Sequence, residues 1–201
     1  MVIALEGLPG VGKTTTAGLL ADRLAAKAVL ETTADHPFLH QVYDDDDRDD
    51  LTVELTFLIV HANPYRRLDR SALTVCDFSP AKDELFAQDM LAGEDLRLFE
   101  EVYARTYRAH PLPNVAVYLR ADPGLCLERV QERMRREPTR SFEAGMTLER
   151  LRRMEERYDD ALQRLGQQSL VCHVERHMTA DAVVRAVAEL LRQRVPMIAT
   201  L

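Results

Sequence analysis

Val2-Ile3-Ala4-Leu5-Glu6-Gly7-Leu8-Pro9-Gly10-Val11-Gly12-Lys13-Thr14-Thr15 is the stretch on which the fold turns. Its opening four residues are a short, unbroken apolar run, the pattern of a strand buried on both faces, and a glycine-rich turn ends it. From Lys13 the spacing of Leu19, Leu20 and Leu24 predicts a helix over about residues 13–26. A Gly-x4-Gly-Lys-Thr string between strand and helix is a P-loop. The glycines let backbone N–H groups converge on phosphate oxygens, and the helix N-terminus adds positive potential. Gly7, Gly10, Val11, Gly12, Lys13, Thr14 and Thr15 are therefore the expected ATP-binding set. Lys13 would reach the β- and γ-phosphates, and the Thr14 hydroxyl would join a Mg²⁺ shell.

Outward from this loop, short apolar runs alternate with helical patterns. Strands are expected at 28–30, 73–76, 115–119 and 170–172, and helices at 94–109, from about 123 to 136, after Thr147, and over 179–194. Residues 51–62 fit both periods; their length and apolarity favour a buried helix, broken or kinked near Pro64. Such alternation implies an α/β domain, with a five-stranded parallel sheet covered by helices on both faces. The 201 residues suit a single domain spanning 1–201, and 46 % hydrophobic residues suffice for its core. A net charge of −7 argues against a general nucleic-acid binder. Three scattered cysteines without a CxxC pair suggest a reduced, cytoplasmic protein. The first apolar run stops at Glu6, so neither a signal peptide nor a membrane span is expected.

Two acids end strands on the edge where an open parallel sheet binds its ligand. Asp77 follows the 73–76 run, as a Mg²⁺-holding carboxylate would, although such an aspartate also serves as a turn cap. Glu31 follows the 28–30 run and can take a proton from an attacking hydroxyl. No Lys or Arg occurs between Ala28 and Asp47, which points to a neutral hydroxyl acceptor; the run Asp44-Asp45-Asp46-Asp47 reads as a solvated loop. Arg129, Arg133, Arg135, Arg136 and Arg140 crowd one segment, with 129, 133 and 136 on one helical face. Such a face suits a lid, at about 133–145, that closes over transferring phosphate, with Arg129 and Arg133 on the phosphoryl group and Arg135 and Arg136 on ATP. Glu128, Glu132 and Glu137 offer the plainer reading of a solvated, charge-balanced helix.

Over residues 1–165 these features resemble the deoxynucleoside kinase family, in its bacterial deoxyguanosine/deoxyadenosine kinase branch. Glu31-Thr32-Thr33-Ala34-Asp35-His36-Pro37-Phe38-Leu39 is similar to the family's Glu-Pro-Val-Glu-Glu-Asn-Pro-Phe-Leu segment. Asp77-Phe78-Ser79-Pro80-Ala81-Lys82-Asp83-Glu84-Leu85-Phe86-Ala87 resembles its Asp-Tyr-x-Phe-x-Lys-Asp-x-x-Phe-Ala stretch, and Arg140-Ser141-Phe142-Glu143 its Arg-Glu-Phe-Glu. The resemblance implies a three-layer P-loop kinase fold and a homodimer. It places Glu31 as catalytic base, and Tyr43 and Glu143 on the sugar 3′-hydroxyl. Phe38, Phe57 and Phe86 are candidates for the wall of a base pocket. Three departures stand out. The family's base-reading glutamine is Glu54, the arginine seven positions later is His61, and no arginine follows Asp77, leaving Lys82 or a lid arginine to assist. The lid is also longer around Met134 to Thr139. The implied activity is transfer of phosphate from MgATP to a deoxynucleoside, deoxyguanosine before deoxyadenosine because the Glu54 carboxylate offers acceptors only. A nucleoside monophosphate kinase resembling thymidylate kinase, or a nucleotide-binding switch without catalysis, remain the alternatives.

Overall fold

The computed structural model describes residues 1–31, 37–38, 49–108, 110, 112–165, 169–195 and 198. Tyr43 and the Asp44–Asp47 run lie outside them. Among these residues five strands and seven α-helices follow one another: β1 (Val2–Glu6), α1 (Lys13–Arg23), β2 (Lys27–Val29), α2 (Asp50–Arg66), β3 (Thr74–Cys76), α3 (Pro80–Met90), α4 (Gly93–Tyr107), β4 (Val115–Arg120), α5 (Pro123–Arg136), α6 (Leu148–Leu165), β5 (Ser169–His173) and α7 (Ala180–Arg194). A 3₁₀ segment, Pro138–Gly145, links α5 to α6. All strand pairs are parallel, in the order β2-β3-β1-β4-β5.

Every residue of β1 is buried, Glu6 included, as expected of the central strand of a sheet covered on both faces. The crossovers run from β1 to β2 in one direction and from β3 to β4 in the other, which by the right-handed rule for parallel crossovers puts α1 and the α2–α4 group on opposite faces. α1 packs against α7 beneath one face. On the other, α2, α3 and α4 enclose a second core of Leu58, Tyr65, Phe78, Phe99 and Tyr107. The crevice opens at the carboxyl ends of β1 and β3, whose onward connections diverge.

Some boundaries differ from the expectations. α1 ends at Arg23, where the chain turns through a left-handed Ala25, and Leu19 faces outward while Thr16, Ala17, Leu20 and Ala21 face inward. α2 runs through Pro64 to Arg66. Proline lacks only the N–H that would bond one turn back, and the last residues close with a shorter bond from Arg67 N–H to the Pro64 carbonyl. α3 was not anticipated, although Ser79 caps it and Pro80 occupies its first turn, a recognisable start signal.

Candidate active site

The loop after β1 is shaped by backbone geometry that only glycine tolerates. A Cβ at Gly10 would collide with the Cys126 carbonyl. Gly12 adopts φ 102 as the residue before α1, in open space, so its conformation and not its packing requires glycine. Lys13 curls back over the loop and donates from Nζ to the carbonyls of Gly7 (2.7 Å) and Leu8 (3.1 Å). Burial, together with the like charge of Lys82, lowers its ammonium to about 8. Thr14 donates its hydroxyl to Asp77 Oδ2 at 2.6 Å, and Asp77 Oδ1 accepts from the Glu31 backbone N–H at 2.7 Å. One carboxylate thus ties the P-loop to the ends of β3 and β2, while Thr15 lines the cavity above. Beneath the loop, Glu6 accepts from the Ser79 hydroxyl, and its other oxygen has no hydrogen-bond partner among the described residues. Burial pushes this carboxyl up to about 7.

Glu31 stands at the centre of a buried relay. Its Oε2 accepts from Lys82 Nζ at 2.5 Å and its Oε1 from His61 Nε2 at 3.0 Å. His61 donates its other ring nitrogen, Nδ1, to Asp83 Oδ1 at 2.5 Å, and Asp83 Oδ2 accepts from the Tyr107 hydroxyl at 2.8 Å. Burial alone would raise the Glu31 carboxyl, but Lys82 and His61 outweigh it and hold it well below its usual range. Burial likewise disfavours charge on His61, yet Asp83 and Glu31 raise the imidazole to about 9, so the ring is an imidazolium at neutral pH. The ring also stacks on Phe78, with centroids 5.0 Å apart. Asp83 and Tyr107 were not among the expected site residues. The Lys82-Asp83 pair lies three residues past the Ser79-Pro80 helix start, which would have turned it toward α2.

A cavity of about 230 Å³ joins these parts. The P-loop, Glu31 and Lys82 line it with Glu54, His61 and Asp83, and the lid contributes Arg133, Arg140 and Glu143. Phe57 and Phe86 form part of its wall, whereas Phe38 does not line it. Glu54 is only 3 % exposed, and burial pushes its carboxyl up to about 8. Across the mouth, Arg133 grips the buried Glu143 with two nitrogens, and Arg140 reaches the same carboxylate at 3.4 Å. Arg129 donates to the Val11 carbonyl at 3.3 Å, binding α5 to the P-loop.

Arg135 and Arg136 depart from the expectation for them. Both are exposed and pair with Glu132, and neither lines the cavity. At about 100° per residue, Arg135 is turned well away from the face that carries Arg129 and Arg133, whereas Arg136 shares that face one turn beyond Arg133; the Glu132 carboxylate, one turn back, holds each. For these two, the charge-balanced surface reading describes the structure.

A 2-3-1-4-5 parallel sheet with a P-loop at its central strand and a threonine–aspartate pair at the loop's exit defines a P-loop kinase fold. Comparison with known proteins narrows this. Residues 3–193 match the profile of the family described as deoxynucleoside kinase, and the chain belongs to that family. A deoxyguanosine kinase of Dictyostelium discoideum is 29 % identical over 144 residues, 67 % of this chain and 50 % of that protein, so the chain spans about half of that relative's length. A deoxyguanosine kinase of Bacillus subtilis (strain 168) is 26 % identical over 171 residues, 81 % of this chain and 79 % of that protein. The solved structure of deoxyadenosine kinase from M. mycoides, with products dCMP and a flexible dCDP bound, has the same fold. It superposes with a TM-score of 0.78 over 96 % of this chain and 99 % of that one, at 17 % identity.

Proposed function

We propose that this protein transfers the γ-phosphoryl group of ATP to the 5′-hydroxyl of a purine deoxynucleoside, favouring deoxyguanosine over deoxyadenosine, and releases the 5′-monophosphate in nucleotide salvage. The observation that carries the reading is the placement of Glu31, which is one hydrogen bond from Asp77, the partner of the P-loop threonine, and one from His61 in the base-side wall. A hydroxyl that touched this carboxylate would lie between the phosphate cradle and the cavity's inner end. Held well below the usual range, Glu31 stays ionised across neutral pH and is available as a base. The 5′-hydroxyl takes the place of Lys82 at Oε2, while His61 keeps the carboxylate oriented through Oε1. Lys82 then turns to the transferring phosphoryl group, where it supplies the cation that the missing arginine beside Asp77 would have given. Lys13 and Arg133 add positive charge to the same oxygens, and positioning with electrostatics supplies most of the rate. Glu143, with Tyr43, holds the sugar 3′-hydroxyl.

Thr14 and Asp77 suit Mg²⁺. A hydroxyl and a carboxylate are hard oxygen donors, and two protein oxygens beside substrate phosphates form an ordinary shell for this ion. Bound there, it neutralises charge on the β- and γ-phosphoryl oxygens. Deoxyguanosine is favoured once Glu54 is ionised, as pH rises toward and past about 8, because a carboxylate matches the two adjacent donors of guanine, N1–H and the 2-amino group. A nucleoside monophosphate acceptor fits less well, since the cavity presents Glu31, Glu54, Asp83 and Glu143, and its lid arginines are already engaged by Glu143. The proposal includes a homodimer formed through α2, whose Ile59 is 64 % exposed. It also includes a cytoplasmic setting, in keeping with three free, buried cysteines. No helix among the described residues is long and apolar enough to cross a membrane.

The test is an acceptor panel with MgATP. Deoxynucleosides are expected to be phosphorylated and deoxynucleoside monophosphates not. Turnover of monophosphates alone would establish the thymidylate kinase-like alternative, and tight ATP binding with no transfer to any acceptor would establish a switch.

A further inference from the structure

Glu54 is a buried polar side chain in an apolar helix, and it lines the substrate cavity. Among the described residues no group hydrogen-bonds to it, although the neighbouring acids are engaged: Asp83 holds His61 and Tyr107, and Glu31 holds Lys82 and His61. A buried carboxyl left open toward a cavity is directed at a ligand, and its protonation state sets which ligand suits it.

The charges around it come from every side. On its own helix, Asp50 lies one turn before it and His61 about two turns beyond. α3 presents Lys82 and Asp83, α6 presents Arg150, and the lid brings Arg140 and Glu143 to the same cavity. Asp83 and Asp50 oppose ionisation, and Arg150 and Lys82 favour it, so the charges largely offset and the loss of water decides. The notion of a permanently ionised reader therefore needs revision.

We propose that Glu54 reads the purine by exchanging its own proton: it keeps the proton and donates it to adenine, and gives it up to solvent when it faces guanine. A carboxylic acid has one O–H donor and one C=O acceptor, the same pair as an amide, which matches adenine N1 and the 6-amino group. A carboxylate has acceptors only, which match guanine N1–H and the 2-amino group. Each base stabilises one protonation state, and by linkage each state prefers one base. One side chain thus serves two purines, and pH sets the balance between them. This inference rests on the reading of the protein as a purine deoxynucleoside kinase with Glu54 against the base.

The experiment measures kcat/KM for deoxyguanosine and deoxyadenosine from about pH 6.5 to about 8.5, taking their ratio so that groups acting equally on both substrates cancel. If each base takes one form only, the deoxyguanosine to deoxyadenosine ratio rises about tenfold per pH unit. In Glu54→Gln, which has an amide and no proton to lose, the ratio is expected to be flat with pH and shifted toward deoxyadenosine. A flat wild-type ratio together with a shift in Glu54→Gln would overturn proton exchange and leave base reading intact. An unchanged ratio in the variant would overturn the base-reading role itself. A slope that survives in the variant belongs to His61 and also overturns the proposal. Calorimetry on the wild-type protein near pH 7, in two buffers of different ionisation enthalpy, gives a readout independent of any variant. Deoxyguanosine is expected to release about one proton per site and deoxyadenosine almost none; equal release for the two would refute the exchange.

Discussion

Glu54→Gln should make the protein more stable, by an amount that grows with pH. The Glu54 carboxyl has an ordinary value of 4.5 and is pushed to about 8 in the folded chain by burial. Between those values the unfolded chain carries it ionised and the folded chain holds its proton. The folded state binds the extra proton, so this residue's contribution to stability falls as pH rises through that window. The full gap corresponds to about 5 kcal/mol above pH 8, about 3 kcal/mol at pH 7, and less than about 1 kcal/mol at pH 5. Glutamine has nearly the same shape and keeps one donor and one acceptor, but it gains nothing by unfolding at high pH. Urea unfolding of both proteins at pH 5, 6, 7 and 8 checks this, because the difference between them cancels every other titrating group. The variant is expected to be close to wild type at pH 5 and more stable by about 3 kcal/mol at pH 7. A difference that stays constant across this range, or a wild type that is the more stable at pH 8, would show that the carboxyl is hydrated and ionised in the folded protein.

Three other outcomes follow from the site. Glu31→Gln should retain ATP affinity and lower turnover by about a hundredfold or more, the usual scale for a positioned base; near wild-type turnover would remove the assignment. Arg133→Ala should depress turnover more than it weakens ATP binding, because a lid guanidinium acts mainly on transition-state charge. Loss of ATP affinity alone would make it a ground-state clamp. Light scattering at micromolar concentration should report a homodimer, and a monomer would leave the exposed Ile59 face of α2 without the partner proposed for it.

How much of this was legible beforehand depended on whether the determining forces were local. The P-loop is a contiguous string whose glycines, lysine and threonine act through backbone conformation and a helix end, so its location and geometry could be read from residues 7–14 alone. The same holds for β1 and β4, continuous apolar runs that only a sheet covered on both faces can bury. Thr147, expected to start a helix, accepts from the Arg150 N–H as a cap should. Strand-end placement of Glu31 and Asp77 also followed from local pattern, because a parallel sheet gathers its carboxyl ends at one edge.

What lay beyond the sequence involves pairs far apart along the chain. Lys82 meets Glu31 across 51 positions, and His61 meets Asp83 across 22; no periodicity announces either contact. The arginine series looked uniform as text. Folding seated Arg129 on the P-loop and Arg133 on Glu143 and left Arg135 and Arg136 on Glu132, because the partner each guanidinium finds depends on how the P-loop and the lid pack against α5. Glu54 shows the difference most sharply. Its identity was plain in the sequence, and from identity alone it was an ionised acceptor. Whether it carries a proton is set by its loss of water and by the placement of Asp50, Asp83, Lys82 and Arg150 around it. Desolvation and the charges of distant residues are properties of the assembled interior, so the sequence by itself determined which side chain stands there, and only the tertiary structure decided its chemical state.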